Sequence, residues 1–233
     1  MKYMGSKNRI AKNILPIMLA ERKQEQWWVE PFVGGANAID KVVGNRIGND
    51  SNKYLIVLLR EMQKDGFEAT IISKEMFEDM KINQNSYKEW ELGFAGFQLS
   101  YGAMWFGSYR RDNVGKRNYA EEAKRNVDNQ AKNIKGVLFL NKIYSDLEIP
   151  ENSIIYCDPP YANTFEYKAV GSFNHGVFWQ WCREQAKRGN AVFVSEYNAP
   201  DDFECIWQKE IISSLSKNTG SKKGLEKLFR YKV

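Results

Sequence analysis

Apolar and polar positions alternate along the chain in a way that predicts helices and strands in turn. Ile10, Ile14, Ile17 and Met18 recur at roughly helical spacing and predict a helix over 8–22, despite Pro16. A strand is expected at 27–30, a helix over about 36–43 and a second strand at 46–49. Tyr54, Val57, Leu58 and Glu61 step round a helix over 53–64. From about 57 to 135 helical patterns dominate, and β-branched runs are scarce apart from Thr70-Ile71-Ile72. Strand patterning returns at Val137-Leu138-Phe139-Leu140, at 154–157 and at Ala191-Val192-Phe193-Val194-Ser195, with a helix over 176–188 before the last. Residues 206–216 and 225–232 read as two strands joined by a basic turn. Strands alternating with helices predict an α/β fold: a Rossmann-like core with a mostly parallel sheet and an antiparallel C-terminal hairpin. The pattern assigns 1–56 and 136–233 to that core and 57–135 to a helical insertion, with no internal repeat or low-complexity tract.

Composition narrows the class. With 233 residues, 43% of them hydrophobic, the chain can bury one α/β core with an insertion, and no apolar run approaches bilayer length. The start, Met-Lys-Tyr-Met-Gly, lacks the apolar stretch of a signal peptide, so a cytoplasmic location, in a bacterium or a phage-infected host, is expected. A net charge of +5 suits a polyanionic partner. Cys157, Cys182 and Cys205 are far apart and odd in number, which predicts neither a disulfide framework nor a metal site and points to a reducing compartment. His175 is the sole histidine, excludes chemistry that needs two, and is expected on a loop or the surface.

The candidate chemistry begins where the run Ile154-Ile155-Tyr156-Cys157 stops on Asp158-Pro159-Pro160-Tyr161. Proline donates no N–H and fixes its own φ, so the chain must leave the sheet there in a stiff geometry. A carboxylate and a proline carbonyl can accept from an amino group while an aromatic face stacks on its ring. Alternatively the tetrapeptide is only a strand-ending turn. A second segment, Val29-Glu30-Pro31-Phe32-Val33-Gly34-Gly35-Ala36-Asn37, reads as strand, small-residue turn and helix start. Its glycines permit close approach to bare backbone, and the expected helix N-terminus would favour an anion. Asp50 ends the second strand, where an acid can accept from ribose hydroxyls. Alone, this loop is equally a plain strand-to-helix turn, since it departs from the dinucleotide fingerprint.

Together these segments resemble the Dam-type (D12 class) DNA adenine methyltransferases, which use S-adenosylmethionine. In that family Asp-Pro-Pro-Tyr is the catalytic motif, here Asp158, Pro159, Pro160 and Tyr161. A motif close to Val-Glu-Pro-Phe-x-Gly-x-Gly holds the methionine part of the cofactor, which implies Glu30, Pro31, Phe32, Gly34, Gly35, Ala36 and Asn37. A Gly-Gly-Lys-like segment adds a cofactor contact and falls on Tyr3, Met4, Gly5, Ser6 and Lys7. The resemblance puts the ribose acid at Asp50 and an adenine contact at Ser145, Asp146 and Leu147. Two departures stand out: Ala36 replaces the second loop glycine, with Gly35 one place earlier, and Ser6 stands where a glycine is usual. The motifs run in the family's order across almost the whole chain; 57–135 matches loosely. The resemblance implies site-specific methylation of adenine N6 in double-stranded DNA, in a restriction-modification, phage or other setting, with the insertion as target-recognition subdomain; the chain carries a full set of motifs, which makes a monomer the default, and its short apolar runs predict no membrane partner.

A duplex buries its adenines, so the base must be flipped out at a cost of roughly a few kcal/mol, which phosphate contacts can offset. Tyr109, Arg110, Arg111, Asn113, Lys116, Arg117 and Asn118, together with Tyr119, mix charge for phosphates with planar groups for base edges. Lys217, Asn218, Lys222 and Lys223 form a second basic stretch. Either cluster could instead be a solvated face. Met104-Trp105-Phe106 is expected in the insertion's core rather than as a wedge between bases. Rival readings are methylation of cytosine N4, methylation of RNA or protein by the same core, and a DNA-binding protein of the same fold without turnover. Glutamine-modifying enzymes more often carry Asn where Asp158 stands, and a non-catalytic scaffold need not retain Asp158 and Asp50.

Overall fold

The computed structural model describes residues 1–112, 114–161, 173–212 and 223–232, with the backbone alone for Ile211, Ile212 and Lys223. Short, wholly buried runs make the middle of the sheet. They are β1 (Trp28–Glu30), β2 (Arg46–Asn49) and β4 (Ile154–Cys157), continued by β5 (Ala191–Ser195), of which only Ala191 is not buried. Burial on both faces is what a parallel sheet covered by helices demands. With β3 (Leu138–Leu140), β6 (Phe203–Ile212) and β7 (Lys223–Tyr231) they form one seven-stranded sheet ordered β3-β2-β1-β4-β5-β7-β6. The pairs from β3 to β5 are parallel; β7 is antiparallel to both β5 and β6. The expected α/β class, mostly parallel sheet and antiparallel hairpin are therefore present.

Side chains alternate across the sheet with the period of a strand. Trp28, Ile154 and Tyr156 join one hydrophobic cluster, while Val29, Ile155 and Cys157 join the other. The first cluster takes in Ile14 and Met18 of α1 (Ala11–Leu19), Leu58 and Leu59 of α2 (Lys53–Met62) and Phe77 of α3 (Lys74–Ile82). It also holds Leu92 of α4 (Glu89–Gly93), Phe94 of the π-helical turn that continues it (Phe94–Gln98), and Val127 of α5 (Tyr119–Ala131). The second cluster is built on Phe178 and Cys182 of α6 (His175–Lys187). Asn52, Ser73, Asn118 and Asn174 cap α2, α3, α5 and α6 by accepting from backbone N–H groups of the first turn, each worth about 1 kcal/mol.

Several expectations change. No α-helix spans 36–43: Ala36 takes φ +53°, and only a short 3-10 turn, Ile39–Lys41, follows before Gly44 at φ +82°. A left-handed residue cannot start a right-handed helix. His175, expected on a loop or the surface, is the first residue of α6 and partly exposed. In Met104-Trp105-Phe106 only Phe106 is buried and Met104 is exposed. The boundary expected at 56/57 falls inside α2, and helices of the 57–135 region share their cluster with the sheet. Arg46, at the head of β2, ties that region down by donating to the carbonyls of Ile39, Asn133 and Lys135.

Candidate active site

The chain runs outward from β1 to β2 and β3, then returns to β4 and proceeds outward the other way to β5. The sheet order thus reverses between β1 and β4, and crevices at the carboxyl ends of such a pair are where open α/β sheets bind ligands. Trp28 pairs with Ile154 and Val29 with Ile155, so the chain leaves these neighbouring strands through Glu30-Pro31-Phe32 and through Asp158. The two motifs, well over a hundred residues apart in the chain, are side by side.

The loop after β1 is held by the end of β2. Val33 N–H donates to Asn49 O at 2.7 Å and Gly34 N–H to Asp50 Oδ2 at 3.0 Å. Asn52 N–H donates to Asp50 Oδ1 at 2.9 Å. Burial pushes the Asp50 carboxyl up, and these N–H groups oppose it. The fully buried Asn49 donates through Nδ2 to Pro31 O and Lys142 O and accepts at Oδ1 from Lys142 N–H, joining the ends of β1, β2 and β3. Gly34 and Gly35 are small because Tyr3 lies on them: added Cβ atoms would stand 2.8 Å from the Tyr3 ring and 2.8 Å from Tyr3 Cβ respectively. The loop does not lead into an α-helix, so the helix N-terminus expected there is not formed.

At the other strand end Lys7 is 8% exposed and its ammonium is 3.1 Å from Asp158 Oδ1. The same Nζ donates to Gly5 O, stands 3.5 Å from Glu226 Oε2, and sits over the Tyr161 ring, 4.4 Å from its centroid. Tyr161 OH donates to Glu226 Oε2 at 2.9 Å, and its ring meets Tyr197 edge-on. Burial pushes the Asp158 carboxyl up to about 6, with Lys7 opposing and Glu226 adding to the rise. Burial alone would lower the Lys7 ammonium, but the charges of Asp158 and Glu226 outweigh it and raise it. Burial, then the two nearby carboxylates, hold the Tyr161 phenol well above its ordinary value, so it remains a donor. Glu30 is buried on β1, accepts from Trp28 Nε1–H at 2.8 Å, and is pushed by burial up to about 8.

The remaining residues divide. Pro159 is buried and Pro160 exposed beside Asp158; Pro31, Ala36 and Asn37 are buried in the loop. Ser145 and Asp146 are exposed on a 3-10 turn, Tyr144–Asp146, with Ser145 Oγ donating to Asp146 Oδ1, and Leu147 is buried behind them. Tyr144 packs on Phe32 at 5.2 Å, which draws this turn to the glycine loop. Met4 is exposed, and Ser6 accepts from Asn8 N–H ahead of a 3-10 turn.

The basic cluster is only partly open. Tyr109 OH donates to Ile72 O and its ring packs against Phe77. Arg110 lies over the Tyr119 ring at 3.7 Å and beside Glu122, and Arg117 pairs with Glu122 at 2.6 Å. Asn118 directs its carbonyl oxygen to the cap of α5 rather than outward. Arg111 and Lys116 are exposed. Asn113, Lys217 and Asn218, with Lys222, lie outside the described residues.

Several partners were not legible beforehand. Lys7, expected on the cofactor, stands against Asp158; Glu226 and Tyr197 arrive from β7 and the end of β5; Gln98 clamps Lys2 by exchanging two 2.8 Å hydrogen bonds with its backbone. Glu226 sits between charged and apolar neighbours of an ordinary strand, and nothing local distinguishes it.

Comparison with known proteins bears on the family. The type II methyltransferase M.FokI of Planomicrobium okeanokoites is 26% identical, across 97% of this chain and 36% of its own length, so the chain spans about a third of that relative. Among solved structures the chain is similar to yhhF of Escherichia coli, a candidate methyltransferase (8% identity, TM-score 0.42, covering 100% of this chain and 92% of that one). It is also similar to a precorrin 8w decarboxylase of Methanobacterium thermoautotrophicum (10% identity, TM-score 0.39, covering 94% and 88%). Residues 3–91, which hold the Lys7 segment, the glycine loop and Asp50, match the family of D12 class N6 adenine-specific DNA methyltransferases, and the resemblance carried by the motifs is borne out there.

Proposed function

We propose that this chain transfers a methyl group from S-adenosylmethionine to the exocyclic N6 of an adenine extruded from double-stranded DNA. The observation that carries the reading is the adjacency of Asp158 and the glycine loop at the carboxyl ends of β4 and β1, where the sheet order reverses. The family match over 3–91 and the likeness to a type II methyltransferase support it and favour a defined DNA target site.

The residues present fit the cofactor. Each Asp50 oxygen accepts one backbone N–H, and a carboxylate oxygen has capacity for a second, which suits a ribose diol. Glu30, Pro31 and Phe32 with the Gly34-Gly35 bend would face the methionine part, and the Ser145–Leu147 turn with Phe32 and Tyr144 the adenine. When bound, S-adenosylmethionine supplies an electrophilic methyl carbon on a sulfonium.

The chain's own residues prepare the nucleophile. Adenine N6 has its lone pair delocalised into the ring, and accepting its two N–H bonds at Asp158 and the Pro159 carbonyl turns that pair out of the ring plane. Tyr161 fixes the plane by stacking. As N6 forms its bond to the methyl carbon, the carbon–sulfur bond would break with its electron pair leaving on sulfur as a neutral thioether; N6 gains positive charge, which the Asp158 carboxylate stabilises, and then loses one proton, which a carboxylate near 6 can take up. The helices between β2 and β3 act in this reading as the target-recognition part, with Arg111 and Lys116 meeting phosphates, and the protein acts as a monomer.

The test uses purified protein, S-adenosylmethionine with a labelled methyl group, and unmodified duplex DNA, followed by mass spectrometry of the digested product. Label in N6-methyladenine is expected; label in N4-methylcytosine, or none, refutes the reading. Asp158→Ala should bind cofactor with unchanged affinity and lose about a hundredfold or more in kcat.

A further inference from the structure

Glu226 belongs to no motif and lies 65 residues beyond Tyr161, yet one of its oxygens meets both Tyr161 and Lys7. Among the described residues the cluster contains one cation and two carboxylates. Lys7 Nζ stands 3.1 Å from Asp158 and 3.5 Å from Glu226, and the Tyr161 hydroxyl donates to the same Glu226 oxygen. An ammonium shared between two acids leaves each with less of its charge satisfied than a dedicated pair would. A ring gripped by its hydroxyl on one side, by Tyr197 on another and by Lys7 over its face has little freedom to tilt.

We propose that Glu226 is a positioning residue of the methyl-transfer site: it shares the Lys7 ammonium with Asp158, so that this carboxylate keeps lone pairs for the adenine amine, and it fixes the Tyr161 ring by its hydroxyl. The proposal rests on the methyltransferase reading above and names how its acid is kept available. Glu226 acts through Lys7 and Tyr161 and itself touches neither base nor cofactor. The hairpin strand β7 therefore does more than close the sheet, because it completes the site from its far side.

Among the described residues, the titratable groups facing Asp158 are Lys7 from the amino-terminal segment, Glu226 from β7, Glu30 from β1, Tyr156 and Cys157 from β4, and Tyr161. Of these, Lys7 and Glu226 act on it in opposite directions. Glu226→Gln keeps an acceptor for the Tyr161 hydroxyl and removes only the negative charge. Asp158 then loses a repelling neighbour and gains Lys7 undivided, so it ionises at lower pH while becoming a poorer acceptor for the amine.

The experiment compares pH–rate profiles of the parent and Glu226→Gln in the labelled-methyl assay, with melting temperature and cofactor affinity measured beside them. The expected result is a kcat lower by about tenfold, with an acid limb displaced below the parent's and KM for cofactor within about twofold. An unmoved acid limb overturns the proposal, even with lower kcat, because a merely structural role would leave that limb in place. Should Glu226→Gln fold poorly, Tyr161→Phe carries the test: the stacking ring remains, and losing the hydroxyl's bond to Glu226 should lower kcat about fivefold. An unchanged kcat in Tyr161→Phe shows that the ring needs no such grip and overturns the proposal too. A parent protein that methylates no adenine refutes the reading on which this rests; a parent that methylates while the variants match it refutes the role of Glu226 alone.

Discussion

Glu30 and Asp158 are acids at neighbouring strand ends, Glu30 buried and Asp158 partly exposed, and their carboxyls answer their surroundings differently. Asp158 has an ammonium 3.1 Å away and is raised to about 6; Glu30 has one indole N–H as its strongest opposing partner and is raised to about 8. A folded-state value above the unfolded one contributes stability at low pH that is lost as pH rises. For Glu30 the loss runs from about 4.5 to about 8. Glu30→Gln retains an acceptor for Trp28 and carries no charge, so it should exceed the parent in stability at pH 8 by about 1–3 kcal/mol, with the gain vanishing below pH 4.5; urea titrations at both pH values check this. Glu122 has the opposite sign. Burial would raise it, but hydrogen bonds from Lys2 and Arg117 hold it down to about 2, so its contribution is present above about 4.5 and fades as pH falls toward 2. Glu122→Gln should flatten the acid side of the stability profile read by melting temperature between pH 5 and 3. At this scale Asp158, Tyr161 and Asp50 were legible because local chain chemistry marks them. Glu226 and Gln98 were not, because their partners are 65 and 96 residues away.

The elements show where local pattern suffices and where it is overruled. α2 and α6 carry a capping Asn followed by a periodic apolar face, and both form within a few residues of expectation. The expected helix over 36–43 fails because Asn49, at the end of β2, and Asp50, just beyond it, hold the backbone of Val33 and Gly34 in a path that puts Ala36 at positive φ. α4 packs closely on α2 at Gly93, where an added Cβ would run into the Tyr54 carbonyl. Backbone cannot yield as a flexible side chain can, so Gly93→Ala should cost about 2 kcal/mol and lower the melting temperature by about 4–8 °C in thermal unfolding. Gln98 sits at the end of the π-helical turn that follows α4 and holds Lys2, five residues before Lys7. Through it the packing of α4 on α2 bears on the position of the ammonium beside Asp158.

Across the whole molecule the charge of +5 is unevenly available. Arg110 and Arg117 are engaged by Glu122 and Tyr119, whereas Arg111 and Lys116 face solvent. If the protein grips DNA as proposed, Arg111→Ala and Lys116→Ala should each reduce the slope of log affinity against log salt by about 0.9, measured by fluorescence anisotropy on duplex DNA. Arg110→Ala should instead lower the melting temperature, because it removes a stacked and paired guanidinium. The order of the motifs, the class of the fold and the acid that ends β4 were determined by the sequence itself, since each depends on residues within a few positions of one another. Only the tertiary structure decided that β1 and β4 are neighbours, that Lys7 stands against Asp158, and that β7 brings Glu226 to both. The physical reason is that strand order, shared ion pairs and the left-handed turn at Ala36 are set by contacts between distant segments, which local propensity does not encode.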